Sequence, residues 1–110
     1  MSDAVDDTPA IDITPEHWAI VRDILRQHVP AYPVWAFGSR VRGTARRYSD
    51  LDLAVITDAP LSLHRLAALK EAFGESDLPW TVDVVDWAST AEGFRRVIER
   101  ERVVLPVAGH

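Results

Sequence analysis

The stretch FGSRVRGTARRYSDLDLAVI, Phe37–Ile56, places small residues first, then cations, then two carboxylates, and ends in an apolar run. Two readings are open. It is an ordinary loop leading into a strand, or it is a site that holds a phosphate against a metal ion. The run LDLAVIT that closes it reads as a strand. Leu51, Leu53 and Val55 point to one face, and Asp50, Asp52, Ala54 and Ile56 point to the other. Just upstream, VWAFG reads as a short buried strand ending at Gly38. SRVRG is long enough for one helical turn, and TARRYS reads as a loop.

Outward from this stretch, the pattern alternates. TPEHWAIVRDILRQHV carries a helix start: Thr14 as N-cap, Pro15 in the first turn, Glu16 near the positive end of the dipole. Trp18, Val21, Ile24 or Leu25, and Val29 recur at helical spacing, and Pro30 and Pro33 stop the helix. SLHRLAALKEAFGES reads as a second helix with Ser62 as N-cap, an apolar stripe of Leu66, Leu69, Ala72 and Phe73, and a terminator at Gly74. WTVDVVD reads as a third strand, with Thr81, Asp83 and Val85 on one face and Trp80, Val82 and Val84 on the other. STAEGFRRVIERE reads as a last helix, and VVLPV as a short edge strand that tolerates Pro106. The order predicts one α/β domain over residues 13–110, preceded by a mobile acidic tail over 1–12.

Composition narrows the classes. A chain of 110 residues fits one domain and one core. There is no cysteine, so disulfides and thiolate zinc sites are excluded, and a reducing cytoplasm is the expected setting. No signal peptide and no membrane span are expected. The net charge of −5 argues against a nucleic-acid substrate, whose phosphates need neutralising. Against that background Arg40, Arg42, Arg46 and Arg47 form a local positive patch.

Asp50 and Asp52 are two apart on a strand, so both carboxyl groups project from one face and can reach one divalent ion. Two such charges repel unless a cation compensates. Mg²⁺ supplies that charge, and its preference for hard oxygen suits carboxylates and substrate phosphates. Asp83 sits inside another strand, where a charge is costly to bury unless paired, hydrated or metal-bound. With the two strands adjacent and their faces matched, three carboxylates converge, a ligand set for one or two Mg²⁺ ions in phosphoryl transfer. Asp-x-Asp alone is more often surface charge or a cap. Asp86 reads as an Asx turn or cap at its strand end. Gly38 lets the backbone approach a ligand, free amides at a helical start bind anions, and the Ser39 hydroxyl can donate to phosphate. The plain alternative is a serine-capped turn. Arginines can grip phosphate bidentately or simply solvate a loop; one or two of the four are expected at phosphate. Trp18, Trp35, Trp80 and Trp87 read as core or partner-facing, and His17, His28, His64 and His110 as surface residues without metal-ligand spacing.

Taken together, Gly38-Ser39, ten intervening residues and Asp50-Leu51-Asp52, with VDVVD supplying Asp83, resemble the signature of the polymerase-β-like nucleotidyltransferase superfamily. More closely, FGSRVRGTARRYSDLDLAV resembles the minimal nucleotidyltransferases (MNT) that serve as antitoxins in HEPN–MNT toxin–antitoxin pairs. The resemblance runs over nearly the whole chain, and departs where Arg102 precedes Val103 and Pro106 follows Leu105. It implies a small mixed sheet with helices mainly on one face. It implies that Gly38 and Ser39, with Arg40, Arg42 and Arg47, hold the nucleotide, and that Asp50, Asp52 and Asp83 bind two Mg²⁺ ions. Asp83 would also help activate the acceptor hydroxyl. The implied reaction transfers AMP from ATP to a tyrosine hydroxyl of a cognate HEPN ribonuclease toxin and silences it. A chain this short is expected to rely on a partner that brings its own acceptor. Two alternatives stand beside this reading: neutralisation of a partner by contact alone, and nucleotidyl transfer to a small-molecule hydroxyl.

Overall fold

A computed structural model describes residues 7–107. Helix α1, Pro15–His28, begins where Thr14 Oγ1 accepts from the His17 amide at 3.2 Å. It ends just before Pro30, whose ring cannot continue it. Strand β1 spans Val34–Phe37, and the single helical turn α2 spans Ser39–Arg42. Strand β2, Leu51–Val55, leads to helix α3, Leu63–Gly74, capped by Ser62 Oγ accepting from the Arg65 amide at 3.1 Å. Strand β3, Val82–Asp86, runs into a 3₁₀ turn, Trp87–Ser89, then helix α4, Glu92–Glu101, and strand β4, Val103–Val104.

The strands form one sheet in the order β3-β2-β1-β4. Strand β1 is antiparallel to both β2 and β4, whereas β2 and β3 are parallel. The parallel pair needs a crossover, and α3 provides it. The sheet is therefore mixed, as expected.

Alternation along the strands decides the two faces. Val34, Ala36, Leu51, Leu53, Val55, Val82 and Val84 meet Trp18, Val21, Leu25, Leu69 and Phe73 from α1 and α3 in the main core. Phe37 and Ala54 point to the other face, where they meet Ile98 of α4. The two longer helices thus share one face, and α4 covers part of the second. Asp52 lies between Leu51 and Leu53 in β2, so it projects on the α4 side.

Three boundaries differ from the sequence expectation. The last helix starts at Glu92, because Asp86 first takes the Ser89 amide at 2.7 Å and winds a 3₁₀ turn. The closing strand is only Val103–Val104; Leu105 and Val107 turn into the core. The tail expected over 1–12 also differs in part. Asp7 accepts from Trp18 Nε1 at 2.9 Å and from Arg22 at 3.3 Å, and the Asp12 amide bonds the Arg40 carbonyl at 2.8 Å. Residues 1–6 of that tail, and His110, lie outside the described residues.

Candidate active site

The site begins at the end of β1. Gly38 has φ +85°, a region that L side chains rarely adopt. A Cβ there would also collide with the Asp52 carboxylate. Two independent demands therefore require glycine. The Gly38 carbonyl accepts from the Val41 and Arg42 amides, each at 3.0 Å, which winds α2. Gly43, at φ +77°, ends the turn.

Register places the carboxylates. Phe37 pairs with Asp52 across β1 and β2, and Asp52 pairs with Asp83 across β2 and β3. Neighbouring strands lie about 4.8 Å apart, so Asp52 and Asp83 stand side by side on the α4 face. Asp50 sits one residue before β2 and points to the same side. Burial first, and then the charges of Asp83 and Asp50, together raise the Asp52 carboxyl from 3.8 to about 6, with Arg42 opposing them.

An open cleft of about 540 Å³ lies between this sheet end and α4. Gly38, Ser39, Arg42, Asp50 and Asp52 line its polar side, and Tyr48, Phe94 and Val97 form apolar walls. The Phe94 ring meets Phe37 edge-on at 5.6 Å. Glu101, the last residue of α4, closes one end. Its Oε1 accepts from the Gly38 amide at 3.0 Å, and its Oε2 accepts from Arg42 Nη1 at 2.8 Å. Burial alone would raise the Glu101 carboxyl. The hydrogen bonds from Arg42 and Gly38, with the Arg42 charge, outweigh it and hold the group below its ordinary value.

A divalent cation fits this donor set. Three carboxylates supply hard oxygens on one face, and their mutual repulsion at Asp52 is what a bound cation would relieve. Among the described residues no three such side chains already converge on one point. The fit therefore rests on donor chemistry and on that repulsion.

Known proteins with this arrangement are recognisable at the level of sequence and fold. The nucleotidyltransferase domain family matches residues 19–105. The chain belongs to that family. This nucleotidyltransferase is 58% identical over 95 residues to the "Probable protein adenylyltransferase MntA" of Haemophilus influenzae, across 86% of this chain and 83% of the relative. It also resembles a chain in a crystal structure of a toxin–antitoxin with AMP-PNP, at 27% identity and TM-score 0.68, over 79% of this chain and 70% of that one. A chain in the structure of a tri-AMPylated Shewanella oneidensis HEPN toxin in complex with MNT antitoxin matches at 22% identity and TM-score 0.59, over 77% of this chain and 65% of that one; this likeness bears on the fold alone. The fold is the polymerase-β-like one expected from the sequence.

Within the nucleotidyltransferase, Gly38, Ser39, Arg42, Asp50 and Asp52 come together in the cleft. Asp83 stands beside Asp52, exposed at the outer edge. Arg40 is a correction. Its side chain is 5% exposed and points away from the cleft. It donates to the carbonyls of Ser49, Asp12 and Arg47 at 2.9, 2.9 and 3.2 Å, and its guanidinium lies 4.4 Å from the Trp80 ring. It is a structural clamp. Arg47 is exposed, lies 5.4 Å from the Tyr48 ring, and lines a neighbouring cavity with Arg46 rather than the cleft itself. The cleft residues that sequence reasoning missed are Phe37, Tyr48, Ser49, Phe94, Val97 and Glu101. Phe94 and Val97 carried a signal as apolar residues three apart on a helix, but nothing distinguished a wall from a core. Trp18 and Trp80 are buried, as read; no tryptophan lines the cleft.

Proposed function

We propose that this nucleotidyltransferase transfers AMP from ATP to a tyrosine hydroxyl of a HEPN-domain toxin, and so acts as the antitoxin of that toxin. The register that sets Asp52 beside Asp83, next to the Gly38–Ser39 turn, is the observation that carries the chemistry. The 58% identity to a probable protein adenylyltransferase supports a protein acceptor.

In this reading Asp50, Asp52 and Asp83 would hold Mg²⁺, which when bound neutralises the triphosphate and lowers the pKa of the attacking hydroxyl. Ser39 donates to the phosphates from the end of β1. Tyr48, Phe94 and Val97 give the cleft apolar walls against which base and sugar are sequestered. The acceptor oxygen attacks the α-phosphorus, and the bond from that phosphorus to the bridging oxygen breaks. Pyrophosphate leaves with the bonding electrons. The hydroxyl proton passes to the exposed edge of the carboxylate cluster, where Asp83 stands.

Label position tests the reaction class. With the HEPN partner and Mg²⁺, label from the α-phosphate of ATP should enter the partner, and label from the γ-phosphate should not. Asp52→Ala should lower the rate by about 10²-fold or more, the several kcal/mol that metal-assisted charge stabilisation supplies. Transfer of γ-label would instead indicate a kinase-type reaction. An Asp52→Ala protein that still neutralised the toxin as well as wild type would mean that contact suffices.

A further inference from the structure

Glu101 is the one carboxylate of the cleft that the metal-site reading does not use. It is 63 residues from Gly38 in sequence, yet each of its oxygens is engaged on α2. One takes the amide just before the turn, and the other takes the side chain of the turn's last residue. We propose that Glu101 is a positioning residue for nucleotide binding: it pins the Gly38–Ser39 turn and the Arg42 guanidinium, and it leaves phosphate contact to Ser39. This rests on the nucleotidyltransferase reading above.

A four-residue turn cannot hold itself, because nucleation costs more than its few hydrogen bonds return. External fasteners must fix it. Arg40 supplies one from the core side through three carbonyls. Glu101 supplies another from the cleft side. Its bond to Arg42 is charge-assisted and short, at 2.8 Å, although with Arg42 49% and Glu101 20% exposed the pair is partly screened by solvent.

Two consequences separate this from the sequence expectation. The Gly38 amide is already engaged, so it is not the phosphate donor; the glycine is there for its φ and for the space Asp52 occupies. Arg42 is already neutralised, so its charge serves the turn rather than the triphosphate. Ser39, at the first position of the turn, retains an amide without an intrahelical acceptor, beside its hydroxyl.

The test measures ATP binding with Mg²⁺ by calorimetry, without any acceptor protein. Wild type, Glu101→Ala, Glu101→Gln, Arg42→Ala and the Arg42→Ala/Glu101→Ala double variant are compared, with folding checked by circular dichroism. Glu101→Ala should weaken binding by about tenfold, the loss of one charge-assisted hydrogen bond. Glu101→Gln keeps an oxygen for the Gly38 amide and should recover most of that loss. Arg42→Ala should add less than about twofold in the Glu101→Ala background, because coupled residues are non-additive. Hydrogen exchange at the Gly38 amide should accelerate in Glu101→Ala. If Glu101→Ala does not fold, Glu101→Met, which keeps the packing but offers no oxygen acceptor, takes its place, and the same non-additivity is expected.

Equal weakening by Arg42→Ala in both backgrounds would overturn the proposal, since Arg42 would then bind phosphate directly. Wild-type or tighter affinity in Glu101→Ala would also overturn it, the first leaving only a fold fastener and the second a placeholder that phosphate displaces. A wild-type protein that binds no ATP would instead overturn the functional reading, and is seen before any variant is compared.

Discussion

Gly38 and Asp52 constrain each other. The glycine Cα makes room for the carboxylate, and its φ of +85° turns the chain at the end of β1. Gly38→Ala should therefore cost about 1–3 kcal/mol from the backbone alone, as read by urea unfolding. It should cost more in activity, because the new methyl displaces Asp52. Asp52 also makes a pH prediction for the metal-free protein. Its carboxyl titrates near 6 when folded and near 3.8 in an ordinary setting. Between those values the folded state binds more protons, so stability falls as pH rises through that window. Asp52→Asn removes the penalty. In chelator at pH 7.5 the variant should be more stable than wild type, by about 1–2 kcal/mol after allowance for solvent screening. The gain should shrink below pH 4. Added Mg²⁺ should raise the melting temperature of wild type and leave that of the variant nearly unchanged.

At the scale of elements, Arg40 decides whether the basic loop serves nucleotide or fold. Arg40→Ala removes the shared partner of three partly buried carbonyls and should destabilise the protein by about 1–3 kcal/mol. ATP affinity of the folded fraction should stay within a few-fold of wild type. Arg40→Lys should not restore stability, because an ammonium cannot span the three acceptors of a planar guanidinium. The strands and long helices were legible from local pattern alone. Alternation in LDLAVI and VDVVD identified the carboxylate face, and Thr14 and Ser62 marked two helix starts that the structure places at those residues. Arg40 was not legible, since nothing in its neighbourhood reveals that Asp12 and Ser49 converge on it. Glu101 was hidden for the same reason: its partners lie at the far end of another element. The 3₁₀ turn after β3 shifted the start of α4 because a side-chain cap outranked the helical periodicity of the residues that follow.

The whole molecule assembles its site by topology. A parallel join between β2 and β3, reached through α3, brings Asp52 and Asp83 into register although 30 residues separate them in the chain. The antiparallel join of β1 to β2 sets the Gly38 turn against the same strand end. Helix α4 then closes the cleft from the second face. The cleft remains open outward, and the exposed apolar residues Tyr48, Phe94 and Val97 border it. Among the described residues no helix is long and apolar enough to cross a membrane. Such a cleft suits an acceptor delivered by another protein. The most direct test of that claim is the intact mass of the cognate HEPN protein after incubation with this protein, ATP and Mg²⁺. The mass should rise in whole adenylyl units, the rise should be abolished by Asp52→Ala, and sequencing of the modified peptide should place the adenylyl group on a tyrosine. An unchanged mass, from a wild-type protein that binds ATP, would contradict that claim.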